Sequence, residues 1–253
     1  MHTSTITMAM APEPPGKEAA DTAGAKSLQP AALYRLMSWF SASYPVGAFS
    51  YSGGIEWAVE TSDISDAATL QSWLAVMIGE GGGFCDAIFF VHGYHAAAKA
   101  DDVLLREVAE LAVAFAPSKE RHLETTAQGG AFLAVTRTAW PSPMLDQLTA
   151  LAGGGAAFPV VAAVACAGHG VPLHPALQCY VQAFAANLVS AGVRLIPLGQ
   201  SDGQRVLAAL EGIVVETVAR ALETPLDEVG GAAMRADLAS MHHETQYTRL
   251  FRS

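Results

Sequence analysis

The feature that most constrains this chain is an apolar spacing of three and four residues that recurs from residue 33 to residue 222. Leu33, Leu36, Met37 and Phe40 open the series. Leu70, Trp73, Leu74 and Met77 continue it, followed by Leu104, Leu105, Val108, Leu111 and Phe115. Leu177, Tyr180, Val181, Phe184 and Leu188 form a fourth stripe, and Leu207, Leu210, Val214, Val218 and Leu222 a fifth. Residues at i, i+3, i+4 and i+7 share one face of an α-helix, and burying that face is what stabilises a helix in water. Alanine is frequent between the stripes and favours helix. Alternating Val/Ile/Thr runs and Asn-Gly turns, the marks of hairpins, are scarce. Breaks such as EGGGF, WPSPM, AGGGAAFP, HGVPLHP and ETPLDE punctuate the series as helix ends do. The pattern predicts an all-α, single-domain bundle of roughly ten helices over residues 30–253.

Residues 1–29 lack this period and are rich in Ala, Pro, Glu, Lys and Thr, so a disordered leader is expected there, with order beginning at Pro30 in a helix first turn. MHTSTITMAMAPEPP has no basic segment before an apolar core and does not read as a signal peptide. The apolar run AAFPVVAAVACAG spans about a dozen residues against the ~20 that a membrane crossing needs, so it reads as a buried helix.

With 51% hydrophobic and 15% charged residues, the chain has enough apolar surface to build a large core. A formal charge of −10 disfavours nucleic-acid partners, which need a basic face. The cysteines Cys85, Cys166 and Cys179 are odd in number and none pair at C-x-x-C spacing, which points to reduced, buried thiols in a cytoplasmic protein. The motifs of common catalysis are absent: there is no GxxxxGK[ST] phosphate loop, no HExxH and no GxSxG. No cofactor is implied. His92 and His95 share a helix face at i, i+3 and are the weak candidates for a metal; a free-standing helical metal-binding protein is the alternative reading they support. His242 and His243, being adjacent, point about 100° apart on a helix.

Three stretches look unlike core. SASYPVGAFSYSGGIEWAVE (41–60) combines helix-breaking Pro45, Gly47, Gly53 and Gly54 with Tyr44, Phe49, Tyr51 and Trp57. Aromatic loops are favoured binding anchors. Glu56 falls in the first turn of the next helix, where it either complements the helix dipole or serves that surface. AGVRLIPLGQSDGQ (191–204) holds a lone cation, Arg194, which either snorkels to solvent or is buried against a carboxylate. Gln200 and Gln204 flank its break, and a helix is expected to begin near Ser201 or Asp202. SMHHETQYTRLFRS (240–253) ends the sequence with His243, Glu244, Gln246, Tyr247, Arg249, Leu250, Phe251 and Arg252. As a short helix it would present Tyr247, Leu250 and Phe251 together at i, i+3 and i+4. They would either pack on the bundle or order on a partner.

In this order and at these spacings, the three stretches resemble the signatures of the urease accessory protein F family, over about residues 30–253. Departures are Gly53 where polar residues are frequent, His242 where a basic residue is usual, and Thr248 where Ser is common. The resemblance implies an all-helical cytoplasmic chaperone that is not itself an enzyme and forms a homodimer. It would bridge a GTPase, urease accessory protein G, and a scaffold, urease accessory protein D (H in some organisms). It would couple GTP hydrolysis to nickel insertion into apo-urease. Partner contacts would fall to Tyr44, Phe49, Tyr51, Glu56, Arg194, Gln200, Gln204 and the terminal stretch.

Overall fold

The computed structural model describes residue 1, residues 28–153 and residues 155–253. The leader expected over 1–29 therefore lies almost wholly outside the described residues. Twelve α-helices occur among the described residues: α1 (Pro30–Trp39), α2 (Ile55–Glu60), α3 (Ala67–Gly79), α4 (Gly82–Ala98), α5 (Asp102–Ala114), α6 (Lys119–Ala139), α7 (Pro143–Ala152), α8 (Phe158–Gly168), α9 (Leu173–Leu195), α10 (Gln200–Ala209), α11 (Glu211–Glu223) and α12 (Met234–His243). No strand is found among these residues. The expected all-α bundle is what forms, with short one-turn 3-10 segments at Ala48–Ser50 and Leu226–Glu228.

Local chemistry sets the helix starts. The Asp66 carboxylate accepts the Thr69 amide and Thr69 Oγ1 accepts the Asp66 amide, a reciprocal cap on α3. Asp101 caps α5 through the Leu104 amide, and Ser118 caps α6 through the Arg121 amide. Prolines occupy the first turns of α1, α7 and α8. The expected start of α10 at Ser201 or Asp202 shifts: the helix begins at Gln200, and the Asp202 carboxylate reaches back to the Gly199 amide.

The centre of the fold is α8. Every residue from Pro159 to Cys166 is buried, as a helix without a polar face requires. It packs most extensively against α4 and α6, with α7 and α9 closing the remaining sides. Small side chains let these axes approach. A Cβ on Gly129 of α6 would lie 2.2 Å from the Ala156 carbonyl oxygen, so that position admits no side chain. A second apolar run, Ala67–Ala98, is long enough to cross a membrane, but it is interrupted between α3 and α4, and 78% of its most apolar window is buried within the bundle.

Three of the five stripes face inward on single helices as spaced; the fifth also faces inward but is split, with Leu207 on α10, Leu210 between the helices, and Val214, Val218 and Leu222 on α11. The first does not. In α1 the buried face is Ala32, Leu36 and Trp39, while Leu33, Tyr34 and Met37 are exposed. The Trp39 ring, packed edge-on to Phe132, Trp140 and His169, buries more area than Met37 and sets the rotation of the helix.

Candidate functional site: a clamped terminal strap

The first and third stretches singled out in the sequence meet at one place, and Arg194 of the second joins them there, while Gln200 and Gln204 lie exposed on α10. The chain after α12 is not helical; residues 245–253 form an irregular strap that returns across the loop before α2. Tyr247, Leu250 and Phe251 therefore do not share a helix face, contrary to their spacing. Phe251 is buried, whereas Tyr247 and Leu250 project into solvent.

The loop is shaped to receive α12 and the strap. Gly53 and Gly54 adopt φ of +62° and +84°, a left-handed backbone that favours glycine. A Cβ on Gly54 would lie 2.6 Å from the Ser240 amide nitrogen, so the residue also permits the close approach of α12. This turn starts α2 with Glu56 in its first turn, and the Glu56 carboxylate is directed inward rather than to solvent. Its Oε1 accepts the Leu250 amide at 2.6 Å, and its Oε2 accepts the Phe251 amide at 2.9 Å and faces His243 Nε2 at 3.0 Å. His243, the last residue of α12, has no exposed surface. Its Nδ1 lies 2.7 Å from Glu120 Oε2, while Glu120 Oε1 accepts from Arg249 at 2.9 Å. Burial pushes the Glu120 carboxyl up, against the opposing pull of His243 and Arg249. Glu244 accepts the Lys119 amide at the start of α6.

Main-chain bonds continue the attachment. The Arg252 amide donates to the Ser50 carbonyl at 2.8 Å, and the Ser52 amide to the main-chain oxygen of Ser253 at 2.6 Å. Arg194, from α9, lies over the Phe251 ring at 4.4 Å and donates to the Phe49 carbonyl at 2.7 Å. It neither snorkels freely nor meets a carboxylate; it joins the loop to the strap. The loop aromatics divide. Tyr44 is buried, its hydroxyl on Thr136 Oγ1 at 2.8 Å, and Tyr51 is buried as well, so neither is presented at the surface. Phe49 is exposed. Gln200 and Gln204 are exposed on α10, and Gln246 keeps a buried Oε1 that has no partner among the described residues.

Two features escaped the sequence reading. Met234, Leu238 and Met241 lie at i, i+4 and i+7 along α12 and are all exposed, an apolar stripe that leads into the strap. Their spacing in MRADLASMHH was the available signal. The other is an interior charge network. Asp86 Oδ2 accepts from Arg121 at 2.5 Å and from the Tyr180 hydroxyl at 2.8 Å; Glu124 lies 3.4 Å from Arg121 and accepts from Gln128. A lone Asp in the apolar run GGFCDAIFFV was its mark. A cavity of about 270 Å³ adjoins this network, lined among others by Cys85, Asp86, Arg121 and Asp237. Burial, together with the charges of Asp86 and Asp237, pushes the Cys85 thiol up to about 12, so it stays protonated at neutral pH.

His92 and His95 come to little common purpose. His92 is half-buried with Nε2 on the Thr224 carbonyl at 3.0 Å, and His95 is exposed. No group of three or more metal-ligating side chains gathers among the described residues. His242 stacks on Trp57, away from His243. In the clamp, nearly every charged group is already engaged by the chain itself. The arrangement positions a peptide and its outward side chains.

Comparison with known proteins agrees with this convergence. A family model described as UreF matches residues 64–211. A urease accessory protein UreF of Rhodopseudomonas palustris (strain BisB18) is 55% identical over 233 residues, 92% of this chain and 97% of the relative. One from Bradyrhizobium diazoefficiens is 56% identical over 223 residues, 88% of this chain and 92% of the relative. The chain belongs to the UreF family of urease accessory proteins.

Proposed function

We propose that this chain is a non-enzymatic scaffold for urease maturation in the cytoplasm. It bridges urease accessory protein D/H and the accessory GTPase G, and couples GTP hydrolysis to nickel insertion into apo-urease. The observation that carries the reading is the outward surface formed by the stripe on α12 and by Tyr247 and Leu250 on the strap. Large apolar side chains held out of the core by a buried polar clamp suit a partner surface, because rigid anchors lose little entropy on binding. We assign this surface to accessory protein D/H. The exposed rim of Phe49, Gln200, Gln204, Arg249 and Arg252, with Arg194 behind it, extends the interaction surface. Glu56, His243, Glu244, Gln246 and Phe251, together with the buried Tyr44 and Tyr51, serve it from within by fixing the strap and loop. The protein pairs with a second copy of itself, for which Leu33, Tyr34 and Met37 on α1 offer an exposed apolar face. Nickel is cargo in this account, and His92 and His95 are not required to hold it.

The test is the double variant Tyr247→Ala/Leu250→Ala. Both side chains are exposed, so the melting temperature should stay within about 2 °C of the parent. Capture of accessory protein D/H should weaken roughly 100-fold, as for loss of two interface anchors, and urease activation should fall with it. Unchanged capture would remove this surface from the proposal.

A further inference from the structure

The outward stripe on α12 is built largely from a side chain whose chemistry can change. Its orientation is fixed from behind. Ala236, Ala239, Ser240 and His243 are buried on the opposite face, which packs against α2 and α6. The Ser240 backbone sits so close to Gly54 that a Cβ there would lie 2.6 Å from its amide nitrogen. Turning Met234 and Met241 inward would bring His243 out and lose these contacts. The polar residues interleaved with the stripe are turned elsewhere. Arg235 pairs with Asp63 and lies over Trp73, Asp237 lines the interior cavity, and His242 stacks on Trp57. The outward side chains are thus thioether and hydrocarbon, with Met234 73% and Met241 43% exposed, whereas Met77 is only 8% exposed inside the bundle. The thiols compete poorly for an oxidant. Cys85 and Cys166 are buried, and burial raises both of these thiols and that of Cys179, which keeps the reactive thiolate scarce. A thioether needs no deprotonation to react.

We propose, on the reading that this stripe docks accessory protein D/H, that Met234 and Met241 form a reversible oxidation site: a hydroperoxide converts both to sulfoxides, and the stripe no longer docks. In each step the Sδ lone pair attacks the hydroxyl oxygen of the hydroperoxide. The S–O bond forms as the O–O bond breaks, and the departing oxygen takes the hydroxyl proton and leaves as water or an alcohol. Sulfur loses two electrons and the peroxide gains them. The product is a polar hydrogen-bond acceptor in the middle of an apolar face. Covering it with an apolar partner surface strips its water without supplying a donor. Two thiols reverse each step: they pass two electrons back to sulfur, become a disulfide, and the sulfoxide oxygen leaves as water. Met234 and Met241 lie at i and i+7, so the two sulfoxides flank Leu238 and interrupt the stripe at both ends.

The experiment treats the full chain with dilute hydrogen peroxide, locates the added oxygen by peptide mass spectrometry, and measures capture of accessory protein D/H. Met234 and Met241 should oxidise at least about ten-fold faster than Met77. The melting temperature should stay within about 2 °C, since both side chains are exposed. Capture should weaken about ten-fold or more and return when a methionine sulfoxide reductase with a dithiol restores the thioethers. Met234→Leu/Met241→Leu keeps the apolar stripe and should capture as the parent does, with no loss after peroxide even though Met37 on α1 is also exposed. Oxidation of Met77 at the same rate, undiminished capture with both sulfoxides in place, or an equal loss in the double leucine variant would each overturn the oxidation site. Leu238→Ala, which peroxide does not touch, separates this from the docking itself. Weakened capture by untreated Leu238→Ala beside undiminished capture by the oxidised parent would sink the oxidation site alone. Unchanged capture by Leu238→Ala would withdraw the docking surface and the oxidation site with it.

Discussion

Two buried charge networks lie side by side on α6 and do different work. Arg121 and Glu124 join Asp86 and Tyr180 in the interior, while Glu120 joins Glu56, His243 and Arg249 at the edge. The interior network links three long helices, α4, α6 and α9, and its cation is a guanidinium, which stays charged at any pH a cell reaches. The edge network fastens an irregular strap, and at its centre the His243 imidazole lies between two carboxylates. The first ties core helices to one another and the second ties an irregular segment onto them. Buried polar networks thus take their role from the backbone that they hold.

The largest effect should come from breaking the interior network. Arg121→Met leaves Asp86 and Glu124 as uncompensated buried carboxylates, a change that costs about 3–5 kcal/mol. For a chain of this size that corresponds to a fall of about 6–20 °C in melting temperature, read by circular dichroism. A melting temperature unchanged by this variant would mean that the interior network is not structural.

Glu56→Gln probes the edge network with nearly the same shape and no charge. It weakens the bonds from two strap amides and from His243. The strap should open more often by a free energy of about 1.5–3 kcal/mol, the usual worth of hydrogen bonds to a charged group. The bundle should keep its melting temperature within a few degrees, because α2 and α12 retain their apolar contacts. If Glu56→Gln lowered melting as far as Arg121→Met, the distinction between the two networks would fail.

Arg194→Ala gives the smallest effect. It removes a cation stacked on Phe251 and a bond to the Phe49 carbonyl, and a stacked cation at a half-exposed site contributes about 0.5–1 kcal/mol. Strap opening should rise a few-fold with no measurable change in global stability. A loss as large as that of Glu56→Gln would place Arg194 in the clamp itself.

Local rules made most of the fold legible. The inward stripes of α3, α5, α9 and α11, the buried run that became α8, and the proline starts of α1, α7 and α8 all follow from residues a few positions apart. The rotation of α1 was missed because Trp39 interacts with Phe132, Trp140 and His169, which are distant in sequence. Tyr44 and Tyr51 looked like surface anchors because loops are usually exposed, but this loop is covered by the bundle and the returning strap. The candidate site was legible as three separate stretches and not as one place. The bond from the Leu250 amide to Glu56 joins residues 194 apart, and no helical spacing encodes such a pair. The strap itself was misread for the same reason: a helix spacing is present, yet Glu56 takes the amides that a helix would use.

The central claim is that the strap belongs to the chain's own fold before any partner arrives. Hydrogen exchange of the free protein at pH 7, resolved to the amides of Leu250, Phe251 and Arg252, tests it most directly. These amides are bonded to Glu56 and to the Ser50 carbonyl, so they should exchange at least about 100-fold more slowly than an unstructured peptide, though faster than those of α8. Exchange at the unstructured rate, with α8 fully protected, would contradict the account and leave the strap to be ordered by its partner.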